Sequence, residues 1–152
     1  MIAAVDFDCT TYNHLPFKFE AGTPHIEGAL GTRAALDFFK QYDLKDIFAH
    51  EQRLLKSTVA ELKQIDGLRL VGEASEKAAI ISFVIEGAHH ADVGQILDQQ
   101  GVAVRVGHHC TQPLLQKLGL TGTVRASISI YNNEDDMTQF IEGVKKARRM
   151  LL

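Results

Sequence analysis

The hydrophobic period changes at Gly67, and that change restricts the fold more than anything else in the chain. Before it, Leu44, Ile47, Phe48, Leu54, Leu55, Val59, Leu62 and Ile65 recur at helical spacing, with Asp43 placed to cap the helix and Gly67 to end it. After it come four short runs with strand character: LRLVG, AIISFVIE, VAVRV and VRASISI. AIISFVIE is apolar at nearly every position, so it is expected in the middle of a sheet and covered on both faces. VAVRV sets Val102, Val104 and Val106 against Ala103 and Arg105. VRASISI sets Val124, Ala126, Ile128 and Ile130 against Arg125, Ser127 and Ser129. Helices are expected over residues 91–100, from Pro113 through Leu118, and from near Asn133 onward. The last has Glu134, Asp135 and Asp136 in its first turn and Lys145, Lys146, Arg148 and Arg149 near its end, matching the helix dipole. This order predicts an α+β fold: a small two-layer sandwich, with a four-stranded, mainly antiparallel mixed sheet and helices packed on it.

Upstream the pattern is weaker. Ile26 to Gln41 fits a helix with a broad apolar face. Residues 1–25 carry Pro16 and Pro24 and show no period; Phe17 and Phe19 have no local element to hide in. The expected organisation is an extended lead-in over 1–25 and an α+β domain over 26–152. A chain of 152 residues, 45% hydrophobic and 23% charged, is long enough to build its own core. A net charge of -3 offers no electrostatic case for nucleic acid, and no apolar run approaches the roughly 20 residues of a membrane span. The N-terminal residues lack the pattern of a secretory signal. Cys9 and Cys110 do not form a disulfide framework, so a cytoplasmic protein is expected.

Cys110 is the residue whose surroundings suggest chemistry. It follows His108 and His109 in a loop after a strand, where an imidazolium and Arg105 would favour the reactive thiolate. The bland alternative is a buried, inert thiol. Cys9, beside Asp8, has no cation near it in sequence and reads as incidental. His89, His90, His108, His109 and Cys110 are metal-ligand types, but no Cys-x-x-Cys or i, i+4 histidine pair is present, so no metal site is expected. His89 and His90 read more simply as polar residues entering a helix. Arg105 and Arg125 either snorkel to solvent or clamp a carboxylate beside Cys110. A Cys-His hydrolase is a rival reading that lacks an identifiable third residue and oxyanion hole.

Three segments in order, FKFEAGTPHIEGALG, RVGHHCTQPLL and TVRASISIYNNEDD, resemble the C-terminal part of the cysteine desulfurase/selenocysteine lyase family, class V aminotransferase-like enzymes that use pyridoxal phosphate. The resemblance runs from about Tyr12 to the last helix. It implies that Cys110 takes sulfur from a cysteine-like substrate and holds it as a persulfide. It further implies that Arg125 binds the substrate carboxylate, that Arg105 is a second active-site arginine, and that Gly22 and Thr23 reach the cofactor phosphate of the neighbouring subunit in a homodimer. GTRAA after Gly31 and Thr111 after the cysteine depart from the family pattern. The family's cofactor-bearing lysine motif is not present among these residues. The chain is therefore expected to be the C-terminal domain of such an enzyme, with the end of the large domain as its lead-in. Alone, it is expected to be inactive and to bind no covalent pyridoxal phosphate. The alternative is a stand-alone module that binds a sulfur-acceptor protein or a separate large-domain chain.

Overall fold

A computed structural model describes residues 1–152, which divide into two compact units, Met1–Asp43 and Leu44–Leu152. The first unit holds a two-stranded antiparallel ribbon and one helix. Strand β1 (Ile2–Val5) pairs with β2 (Thr10–Tyr12), and Asp6 N–H donates to the Cys9 carbonyl at 2.9 Å to close the turn. Helix α1 (Ile26–Phe39) buries none of its residues. The helix expected from Ile26 thus falls in the first unit, not with the four-stranded sheet.

The second unit runs α2 (Leu44–Leu62), β3 (Leu68–Val71), β4 (Ile80–Ile85), α3 (His90–Asp98), β5 (Arg105–Gly107), α4 (Gln112–Lys117), β6 (Thr123–Ser127) and α5 (Glu134–Leu151). The sheet order is β3-β4-β6-β5, and every neighbouring pair is antiparallel, so the sheet is not mixed. One face carries the core: Ile81, Phe83 and Ile85 of β4 and Val124 of β6 cluster with Leu54 and Leu62, Val93 and Leu97, and Phe140, Ile141 and Val144 from α2, α3 and α5. Phe83 and Phe140 meet edge to face at 6.1 Å.

The expectation that β4 is covered on both faces is corrected. Ile81, Phe83 and Ile85 are buried, but Ser82 and Val84 are only half-buried and Ile80 is exposed. β4 is flanked by strands on both edges but packed on one side. β5 is shorter than the run VAVRV. Val102 N–H donates to the Leu97 carbonyl at 3.0 Å, closing the end of α3, and pairing with β6 begins only at Arg105. β6 stops at Ser127. In the turn that follows, Ser129 N–H donates to Asn132 Oδ1 at 2.9 Å.

Helix termini follow their local chemistry. His89 caps α3, its Nδ1 accepting from Ala91 N–H at 3.3 Å, as a polar residue entering the helix should. Asn133 caps α5 through a full capping box, its Oδ1 accepting from Asp135 and Asp136 N–H while Asp136 Oδ2 accepts from Asn133 N–H.

Candidate active site

Cross-strand register places Arg105 directly opposite Arg125, and Arg125 opposite Ser82 on its other side. These three side chains share the sheet face turned away from the core, together with Ser127. Two arginines opposite one another repel. Neither makes an ion pair, and the Nε of Arg125 is buried without a hydrogen-bond partner. The arrangement suits a planar anion with two oxygens, which would neutralise both guanidinium groups and accept from them.

The loop bearing Cys110 leaves β5 two residues beyond Arg105, at the end of the strand that faces Thr123. Gly107 ends the strand at φ +110, a conformation that side chains rarely adopt. His109 (φ 52) and Cys110 (φ 60) then take consecutive left-handed conformations. For non-glycine residues each such position costs about 1–3 kcal/mol, and it persists only where surrounding contacts impose it. Three bonds act within the loop. Cys110 N–H donates to His108 Nδ1 at 3.0 Å, and Thr111 donates to the His108 carbonyl from its N–H at 2.8 Å and its hydroxyl at 2.9 Å. The result is an exposed thiol at the tip of a tight turn. Cys9 is exposed as well, so accessibility alone does not separate the two thiols.

His109 turns inward. Its Nε2 lies 2.9 Å from Thr123 Oγ1 and 3.2 Å from the Thr123 carbonyl, while its Nδ1 is buried without a partner. The carbonyl can only accept, so the proton sits on Nε2 and Nδ1 carries a bare lone pair. Burial, first, and then the nearby Arg125, Arg105 and His108 charges hold this imidazole below its ordinary pKa, against the opposing pull of the Thr123 carbonyl. His90, stacked on His89 with ring centroids 4.1 Å apart, is likewise held low by burial and by the neighbouring His89 and His109.

The structure therefore brings Arg105 and Arg125 together on adjacent strands and sets the Cys110 loop at the end of one of them. Gly22 and Thr23 belong to the first unit. Gly22 has φ +74, and a Cβ there would meet nothing within 4 Å. Sequence reasoning placed His109 only as a neighbouring imidazolium that would favour the Cys110 thiolate, a part that a ring turned to Thr123 and held below its ordinary pKa does not play, and it did not single out Thr123. The only signal for the latter was a hydroxyl residue opposite the strand-ending Gly107, two residues before Arg125.

The Aminotransferase class-V family model matches residues 1–140. A probable cysteine desulfurase of Xylella fastidiosa (strain 9a5c) is 47% identical over 151 residues, covering 99% of this chain and 36% of the relative. The cysteine desulfurase CsdA (S-sulfonic acid) from Escherichia coli has a TM-score of 0.84 at 34% identity, with 100% of this chain and 38% of that one covered. A C-DES mutant with glycine covalently linked to its PLP cofactor shares the fold, with a TM-score of 0.67 at 16% identity over 84% of this chain and 31% of that one. The chain thus spans between about a quarter and little more than a third of the length of the curated relatives it matches. The expectation of a C-terminal domain does not stand: the family match begins at residue 1 and runs through both units, so the aligned region is part of the class V aminotransferase domain itself and not a domain appended to it. The exposed thiol, the arginine pair and these similarities converge on one assignment: the chain belongs to the class V aminotransferase family, alongside cysteine desulfurases.

Proposed function

We propose that this chain contributes to a cysteine desulfurase reaction, with Cys110 as the sulfur-accepting nucleophile and the Arg105–Arg125 pair as the holder of the substrate carboxylate. The observation that carries the reading is the register: two unpaired arginines stand opposite one another on strands adjoining the Cys110 loop. Similarity to cysteine desulfurases across nearly the whole chain supports it. The arginines bind and orient a cysteine-like substrate by its carboxylate. The Cys110 thiolate attacks the substrate sulfur, forming an S–S bond as the carbon–sulfur bond breaks, and Cys110 retains the sulfur as a persulfide. Pyridoxal phosphate, when bound, supplies the electron sink for that cleavage. Gly22 and Thr23 fit a phosphate contact: a left-handed glycine with open space around it, next to an exposed hydroxyl, lets a phosphate approach the backbone closely. The persulfide sulfur then passes to an acceptor thiol, and a sulfur-acceptor protein and a homodimer belong to the same proposal. A cytoplasmic setting suits a free, reactive thiol. No helix is long and apolar enough to cross a membrane.

The test uses cysteine persulfide as the donor, so that the outer sulfur moves to a protein thiolate and cysteine thiolate leaves. Mass mapping after alkylation is expected to find the added sulfur on Cys110 in preference to Cys9. R125Q should reduce loading from this carboxylate-bearing donor but not from an uncharged alkyl hydropersulfide. Equal loading of the two cysteines would refute the assignment.

A further inference from the structure

We infer that His109 is a positioning residue: through Thr123 it ties the Cys110 loop to the strand that carries Arg125, and so sets the nucleophile against the carboxylate clamp. The inference rests on the proposed roles of Cys110 and Arg125. Three of the loop's hydrogen bonds stay within it, joining Cys110 and Thr111 to His108. They fix the shape of the turn but not its place over the sheet. The side-chain bonds from this loop to the sheet are those of His109 to the Thr123 hydroxyl and carbonyl, at 2.9 and 3.2 Å. Thr123 is 2% exposed and paired with Gly107, so it is a fixed anchor. It precedes Arg125 by two residues on the same strand face, so whatever grips Thr123 is registered to the guanidinium group. His109 and Cys110 are adjacent left-handed residues, so moving the imidazole must move the thiol.

The geometry also selects the residue type. The anchor needs a donor for the Thr123 carbonyl that brings no charge to the half-buried site beside Arg125. Neutral imidazole meets both requirements; lysine and arginine do not.

The experiment uses this chain and two alkylating agents of similar size, iodoacetate and iodoacetamide, with each thiol followed by mass spectrometry. Both reagents attack the same thiolate, so the ratio of their rates at one cysteine cancels its ionisation and reports how that sulfur is presented to nearby charge. In the wild type the iodoacetate preference at Cys110 is expected to exceed that at Cys9 by about fivefold, and R125Q should remove most of the difference. H109F, which removes the donor, and T123V should also bring the Cys110 ratio down toward that of R125Q, with Cys9 unchanged, while T123S, which restores the hydroxyl, should keep it. Thermal melting of each variant separates lost positioning from lost folding, and H109F alters the loop without touching the buried strand. A wild-type Cys110 ratio no higher than that of Cys9 would overturn the clamp reading and this inference with it. A raised wild-type ratio that H109F and T123V leave intact would overturn the positioning role alone.

Discussion

The two units use similar apolar residues to opposite effect. Beyond Asp43, one face of each principal helix and of β4 is buried in a shared core. Before Asp43 nothing is buried: α1 leaves Leu30 and Leu36 exposed, and Phe7, Phe17 and Phe19 stand in solvent. A hydrophobic pattern identifies an element in both units, but burial stabilises an element only where a second layer covers it. In the first unit the ribbon and helix rest on backbone bonds and on exposed pairs such as Lys40–Asp37 at 2.8 Å, which contribute little.

The largest consequence should appear in amide exchange. Residues of β4 bond to strands on both sides and sit over the core, so they should exchange only through global opening of the second unit. Amides of β1, β2 and α1 should exchange orders of magnitude faster in the isolated monomer. Equal protection in the two regions would erase the distinction and point to a cover over the first unit.

Core truncation sharpens the same contrast. Phe83 is fully buried and meets Phe140 edge to face, so Phe83→Ala should destabilise the second unit by about 4 kcal/mol, measured by denaturant unfolding. Phe38, 39% exposed and touching mainly Phe39 and Tyr42, is the matched control. Phe38→Ala should change the same transition by less than about 0.5 kcal/mol. A third substitution isolates local from tertiary stabilisation. Asn133→Ala removes the acceptor for two α5 amides and should cost about 1 kcal/mol.

How much of this was legible depends on the range of the interaction. The start of α5 near Asn133, the alternation in β6 and the part of the α2 stripe from Leu54 to Leu62 are written within a few residues of themselves, and the structure keeps them. Leu44 and Phe48, at the start of that stripe, are exposed, and α2 ends at Leu62 rather than at Gly67. Opposing Arg105 and Arg125 was half legible. Alternation put each on the non-valine side of its strand, but only pairing shows that they face each other. Val102–Val104 read as strand because they are valines in alternation; the competing bond from Val102 to Leu97 depends on how α3 ends. The apolar run in β4 could not say which faces are covered, since that depends on where three distant helices pack. The inward turn of His109 was not legible at all. It needs two successive left-handed residues and a threonine 14 positions away.

The smallest expected effect is the pH dependence of the second unit's stability. His109 and His90 both have pKa values below the ordinary histidine value of 6.5, each chiefly through burial, and His109 also faces Arg125, Arg105 and His108. In the unfolded chain these imidazoles return to that ordinary value. Between it and the lower folded value, the unfolded state therefore binds more protons than the folded one, and stability falls as pH falls. The contribution is fully present above about pH 6.5 and is lost progressively as pH drops through the folded-state values. The exposed carboxylates Glu73, Glu134 and Glu142, lowered first by hydrogen bonds from Lys63, Arg53 and Lys145, act in the same direction but below their ordinary 4.5, so the two windows separate. Acidification from pH 7 toward 5 should lower the melting temperature of the wild type modestly. The double variant H90Q/H109Q should flatten that slope while leaving the loss below pH 4.5 in place. An unchanged slope between pH 7 and 5 would mean that neither imidazole is held neutral by the fold.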